Sequence, residues 1–123
     1  MGDMPKGRAP INTNLIFSPA IRHAILRDEI YCQIMKQLTN NRIEISEERG
    51  WELMWLATGV MLPSSVLLKE LFDFLRSRTN PLAKECLQRV QKTLRFGQRI
   101  HPPYIVEVEA IRCRSLQIYH RVG

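Results

Sequence analysis

An all-α fold is what this sequence predicts: a compact bundle of about five to six helices, followed by a strand-like tail. Three observations carry the prediction. Apolar residues recur at three- and four-residue intervals, as in Leu26, Ile30, Ile34 and Leu38. Helix-starting and helix-stopping residues punctuate these runs, among them Ser64, Asn80-Pro81 and Gly97. The composition, 45% apolar and 24% charged over 123 residues, is that of one globular domain with a real core.

Residues 1–12, with Gly2, Pro5, Gly7 and Pro10, read as an irregular lead-in. They are polar and lack the hydrophobic segment of a signal peptide. No apolar run approaches the ~18 residues that a membrane span needs. A short apolar element begins at Thr13–Phe17 and meets Ser18-Pro19. The first long helix then runs from Ile21 or Ala24 to Leu38, with Tyr31 and Met35 widening its apolar stripe, and Thr39-Asn40-Asn41 ends it. It reads as the central strut of the bundle. Ser46 is the expected cap of the next helix, about 47–61, with Glu47 and Glu48 in the dipole-favoured first turn. Trp51, Leu53, Met54, Trp55 and Leu56 make that helix apolar on more than one side, so it belongs in the interior. Its Gly50 and Gly59 imply close packing against neighbours.

Leu62-Pro63-Ser64-Ser65 is a break with a cap, and a helix over 65–77 should turn Val66, Leu67, Leu71, Phe74 and Leu75 inward. Asn80-Pro81 starts another helix, which stops at Gly97 and buries Leu82, Cys86, Val90 and Leu94. After Pro102-Pro103, a last short helix over 104–113 is expected to bury Ile105, Val108 and Ile111. The tail changes period: Leu116, Ile118 and Val122 alternate with other residues, as in a strand.

Charge is placed unevenly. Residues 1–73 hold eight basic and nine acidic side chains, net −1, whereas 74–123 hold ten basic and three acidic, net +7. Such asymmetry suits an acidic partner: nucleic acid, an anionic membrane or an acidic protein surface. On the helix after Asn80-Pro81, Lys84, Lys92, Arg95 and (if the helical geometry persists) Arg99 fall opposite the apolar stripe. With Arg89 they form the candidate binding face. The plainer reading is a solvated helix face, since surface charge contributes little to stability.

Catalytic and metal chemistry find no foothold. There is no Gly-rich phosphate loop ending in Gly-Lys-Ser/Thr. His23, His101 and His120 are far apart and lack metal-ligand spacing. Cys32, Cys86 and Cys113 are odd in number and scattered, so neither disulfides nor zinc is expected; Cys32 and Cys86 read as small hydrophobes on apolar helix faces, suited to a reducing cytosol. Ser64 and Ser65 suit helix caps better than nucleophiles. Trp51 and Trp55 suit core packing better than a stacking site. Adjacent Asp28 and Glu29 point in different directions on a helix. One of them either accepts a hydrogen bond from another helix's exposed end or pairs with Arg49.

The run Leu26-Arg27-Asp28-Glu29-Ile30-Tyr31-Cys32-Gln33-Ile34-Met35-Lys36-Gln37-Leu38-Thr39-Asn40-Asn41, then Arg49-Gly50-Trp51-Glu52-Leu53, Pro63-Ser64, Leu94-Arg95-Phe96-Gly97 and Pro102-Pro103, resembles the myosin tail homology 4 domain across about residues 15–113. The blocks 46–53 and 106–111 look most like the C-terminal of the two such domains in class VII unconventional myosins. Leu26, Asp28, Glu29, Ile30, Tyr31, Gln33, Gly50, Trp51, Pro63, Gly97, Pro102 and Pro103 are its structural signature here. Two positions depart from the family pattern: Leu62 stands where a second Pro is common, and Phe96 where a polar residue often precedes the Gly.

The resemblance implies a non-catalytic tail module of an actin-based motor, whose ATPase head lies outside this sequence. No cofactor is implied. It implies residues 1–113 as this domain, with one or more of its first helices lying outside them, and 114–123 as a linker and the first strand of a following FERM domain. Together the two domains would bind cargo or scaffold proteins through acidic or amphipathic segments, or microtubules. The setting would be the cytoplasm and cytoskeleton, in actin-rich protrusions. A helical nucleic-acid-binding module is the rival from another class, disfavoured for want of a recognition motif. A purely structural brace for the FERM domain is the other.

Overall fold

The computed structural model describes residues 17, 19–21, 23–40, 44–99 and 102–119. Five long helices run in order: α1 (Ala24–Asn40), α2 (Glu44–Val60), α3 (Ser65–Ser77), α4 (Pro81–Phe96) and α5 (Ile105–Tyr119). A helical turn at 19–21 precedes them, and its Ala20, like Phe17, is shut off from solvent. The all-α expectation is borne out.

The centre of the bundle is α2 rather than α1. It packs on α1, α4 and α5 and supplies Trp51, Met54, Leu56, Ala57 and Val60 to the core. Its two glycines mark close approaches. A Cβ on Gly50 would lie 2.8 Å from a methyl of Leu38 on α1, and one on Gly59 would overlap the guanidinium of Arg89 on α4. Trp51 is buried with its ring 6.2 Å from that of Phe74.

The signature residues of α1 close the joint between α2 and α3. A helix leaves its last carbonyls and first amides without intrahelical partners. Here the Tyr31 hydroxyl donates to the Met61 carbonyl at 2.7 Å, and Arg27 Nε donates to the Leu62 carbonyl at 3.1 Å. Arg27 Nη1 also reaches back to the Ile21 carbonyl at 2.9 Å. The Ser64 amide donates to Asp28 Oδ1 at 2.7 Å. Of the two roles open to the adjacent carboxylates, Asp28 therefore takes the helix-end one. Ser64 in turn caps α3.

α4 starts and stops as expected. Asn80 accepts from the Leu82 amide at 2.8 Å, Pro81 occupies the first turn, and Gly97 at φ +94° ends the helix with its amide on the Thr93 carbonyl.

Several finer expectations are corrected. α2 begins at Glu44, so Ser46 lies within its first turn and is not the cap. Glu47 and Glu48 face α5: Glu48 accepts from the Ser115 hydroxyl at 2.8 Å, and Glu47 from the Tyr119 hydroxyl at 3.0 Å. These contacts explain why α5 continues to Tyr119 and why residues 116–119 are helical, not the start of a strand. Ile111, Ser115 and Tyr119 recur at helical spacing against α2, and the alternation of Leu116 with Ile118 disguised that period. Leu116 is half exposed. The remainder of the expected strand, 120–122, lies outside the described residues, as does the whole irregular lead-in, 1–12. Val66 and Ile105 face solvent, and Cys32 is exposed on α1 whereas Cys86 is buried. Burial pushes the Cys86 thiol well up, which suits an inert core residue. Leu94 is also exposed. A four-residue stripe drifts by about 40° per step, so Leu94 lies about 120° from Leu82, and Thr93 takes its place inside. The Thr93 hydroxyl bonds the Thr58 carbonyl at 2.7 Å.

Candidate protein-binding interface

The five candidate cations divide into two groups. Lys84, Lys92 and Arg95 lie exposed on the outward face of α4, and no ion pair is formed by any of them among the described residues. Arg89 and Arg99 turn away from that face and are engaged within the domain.

Arg89 lies seven residues after Leu82, just under two full helical turns, and so on the same side of α4 as the core stripe. Its Nε donates to the Trp55 carbonyl at 2.6 Å, and its guanidinium sits 3.5 Å above the Trp55 ring. Only a residue without a side chain at position 59 leaves room for it. Its Nη2 is buried 3.6 Å from Glu107 Oε2. Burial lowers the pKa of this guanidinium, and the Glu107 carboxylate opposes that shift. A cation so placed is tied to α2 by packing as much as by charge.

Arg99 grips the same carboxylate as a fork: Nη1 to Oε1 at 2.5 Å and Nη2 to Oε2 at 2.6 Å. Its backbone amide donates to the Val60 carbonyl at 2.9 Å, and the Gln98 side chain accepts from the Leu62 amide at 2.7 Å. The segment after Gly97 thereby satisfies the C-terminal end of α2. Glu107 also accepts from the Tyr104 amide at 2.9 Å, in the first turn of α5. One carboxylate thus joins α4, the loop after it, and α5.

Burial by itself would push the Glu107 carboxyl up. The Arg99 fork, the Tyr104 amide and the nearby Arg89 outweigh it and hold the pKa below its ordinary value. The unfolded carboxyl therefore takes up a proton at higher pH than the folded one. The stabilisation is present above the unfolded pKa and is lost as pH falls through the folded one. Melting temperatures measured from neutral to acid pH should show this as a decline below the ordinary glutamate range. Glu107→Gln should melt lower at neutral pH and lack that part of the decline, so the two curves converge in acid.

Two depressions meet at Lys92 and Phe96, one beside α2 and one on the outward face of α4. A cleft of about 370 Å³ lies between Gly59, Arg89, Lys92, Phe96, Gln98 and Arg99. A shallower one of about 310 Å³ lies among Gln88, Gln91, Lys92, Arg95 and Phe96. Phe96 itself is 73% exposed. Among the described residues there is no cluster of His, Cys, Asp and Glu able to hold a metal ion. The geometry offers charge, amides and an aromatic face, which suits binding.

Comparison with known proteins decides the family. The description of the MyTH4 domain, the myosin tail homology 4 domain, matches residues 13–110. The chain belongs to the MyTH4 domain family. This MyTH4 domain is 56% identical over 125 residues to myosin-VIIa of Drosophila melanogaster, covering 99% of the chain and 6% of that protein. It is 45% identical over 111 residues to unconventional myosin-VIIb of Mus musculus, covering 89% of the chain and 5% of the relative. The human myosin 7b C-terminal MyTH4-FERM domain, solved in complex with the harmonin-a PDZ3 domain, superposes with a TM-score of 0.80 at 47% identity, covering 89% of this chain and 24% of that one. The expected likeness to class VII myosins is borne out. The chain spans only about a twentieth of the myosins it matches.

In this MyTH4 domain the sequence grouped five cations as one face and did not separate those held within the domain from those that are exposed. It also missed Glu107, whose pairing with Arg99 depends on how the loop after Gly97 folds back. Phe96 was visible only as a departure from the family pattern.

Proposed function

We propose that this MyTH4 domain is a non-catalytic module from the tail of an unconventional myosin. It works beside a FERM domain and binds acidic segments of cargo or cytoskeletal proteins, microtubules included, in the cytoplasm. The binding face is Lys84, Lys92 and Arg95. The observation that carries this reading is the state of these three cations: they share the exposed side of one helix, with no carboxylate paired to them among the described residues. Charges so displayed attract acidic partners over the Debye length, about 8 Å at physiological ionic strength.

The relatives support the tail assignment, and the myosin 7b structure holds a MyTH4-FERM domain in complex with a PDZ domain of another protein. A motor head that hydrolyses ATP and binds actin belongs to the proposed parent protein. The MyTH4 domain is inferred to extend to Tyr119, so that a following FERM strand would start beyond it.

The test is the double reversal Lys92→Glu with Arg95→Glu. Each reversal replaces an attraction with a repulsion of order 1 kcal/mol at contact distance in water. Affinity for a glutamate-rich peptide, and for microtubules in co-sedimentation, should drop by about tenfold or more at low salt. The melting temperature should hardly move, because the two residues are exposed. Unchanged affinity would leave the domain as a brace for its FERM neighbour.

A further inference from the structure

The outer face of α4 carries an exposed aromatic ring among its cations. Phe96 ends the helix, and Gly97 then turns the chain back toward α2, so the ring is left at a corner. It lies between the two depressions and lines both, as does Lys92 one helical turn before it. Among the described residues, neither depression has an acidic side chain in its walls. Gln88, Gln91 and Gln98 supply uncharged donors and acceptors around the ring. A large apolar side chain left in water beside two concavities gains by being covered, and the surrounding charge selects what covers it. A purely acidic strand would satisfy the cations and leave the ring wet. A purely apolar strand would desolvate Lys92 and Arg95 without a partner, which is costly.

We propose that Phe96 is an apolar anchor of the α4 interface, and that the partner is a protein segment carrying a large apolar side chain flanked by carboxylates. The apolar group packs on the Phe96 ring and the aliphatic stem of Lys92. The flanking carboxylates meet the Lys92 and Arg95 head groups. This inference rests on the acidic-partner reading and narrows it: charge brings the segment to the helix, and the ring discriminates among acidic segments. The two contributions respond differently to salt, because screening weakens the ionic contacts and leaves the apolar one.

Fluorescence anisotropy with two labelled peptides tests it, one of glutamate and glycine only, the other with a central phenylalanine added. The unaltered chain should bind the phenylalanine peptide about tenfold more tightly, ~1.4 kcal/mol, and the ratio should persist as salt is raised. Phe96→Ser should abolish the ratio while keeping the affinity for the glutamate peptide. Phe96→Leu should keep most of the ratio, which separates loss of the anchor from any loss of folding in the Ser variant. Equal binding of both peptides by the unaltered chain would overturn the anchor and leave the acidic reading intact. A ratio that survives in Phe96→Ser would likewise overturn it. Binding of neither peptide would overturn both readings.

Discussion

Replacing Arg89 with Glu should lower the stability of the domain by about 3–5 kcal/mol, the cost typical of breaking a largely buried charge pair. The new carboxylate would face Glu107 across the space that Arg89 Nη2 now spans at 3.6 Å. It would also leave the Trp55 carbonyl without the guanidinium that bonds it and the Trp55 ring without its cover. Chemical denaturation would show the loss as a lower midpoint with little change in slope. By contrast, reversing Lys92 and Arg95 should leave the stability within about 0.5 kcal/mol of the unaltered chain. A reversal set that included Arg89 would mix lost stability with lost surface charge and would not isolate the interface. Equal stability of the Arg89→Glu chain and the unaltered one would refute the captive role.

Tyr31→Ala is the second large effect. Tyr31 is wholly buried and its hydroxyl serves the Met61 carbonyl just past the end of α2. Burial raises the pKa of that hydroxyl, so it remains a donor at any ordinary pH. Removing the ring should cost about 3–5 kcal/mol through lost burial and the cavity left behind. Tyr31→Phe keeps the ring and isolates the hydroxyl, at about 1–2 kcal/mol for an unpaired buried carbonyl. Melting curves of the pair would divide the effect. Indistinguishable curves for Tyr31→Phe and the unaltered chain would show that the joint between α2 and α3 holds without this bond.

Both predictions bear on what could be read in advance. Helix type and order were legible because they depend on local periodicity and on caps that act within a few residues: Asn80-Pro81 and Gly97 bounded α4 as observed. Non-local partners were not legible. Nothing near Ser115 in the chain announces that Glu48 accepts its hydroxyl, yet that contact keeps α5 helical where apolar alternation suggested a strand. The inward side of Arg89, however, was available from helical arithmetic, since seven residues bring it back beneath Leu82. Grouping it with the outward cations followed charge type and ignored angle. The exposure of Leu94 follows from the same geometry. Asp28 could not be assigned beforehand, because its partner, the Ser64 amide, is chosen by how α1 crosses the end of α2.

Glu107 also limits the surface that it never touches. By holding Arg99 in a fork and standing beside Arg89, it withdraws two of the five positive charges from outside competition. A ligand with ever more carboxylates therefore soon runs out of cations to meet, and added acidity beyond that point brings only diffuse, salt-sensitive attraction. On the proposed acidic-partner reading, discrimination among acidic strands rests on where an apolar side chain falls among the carboxylates, because their total charge is answered by a small number of side chains.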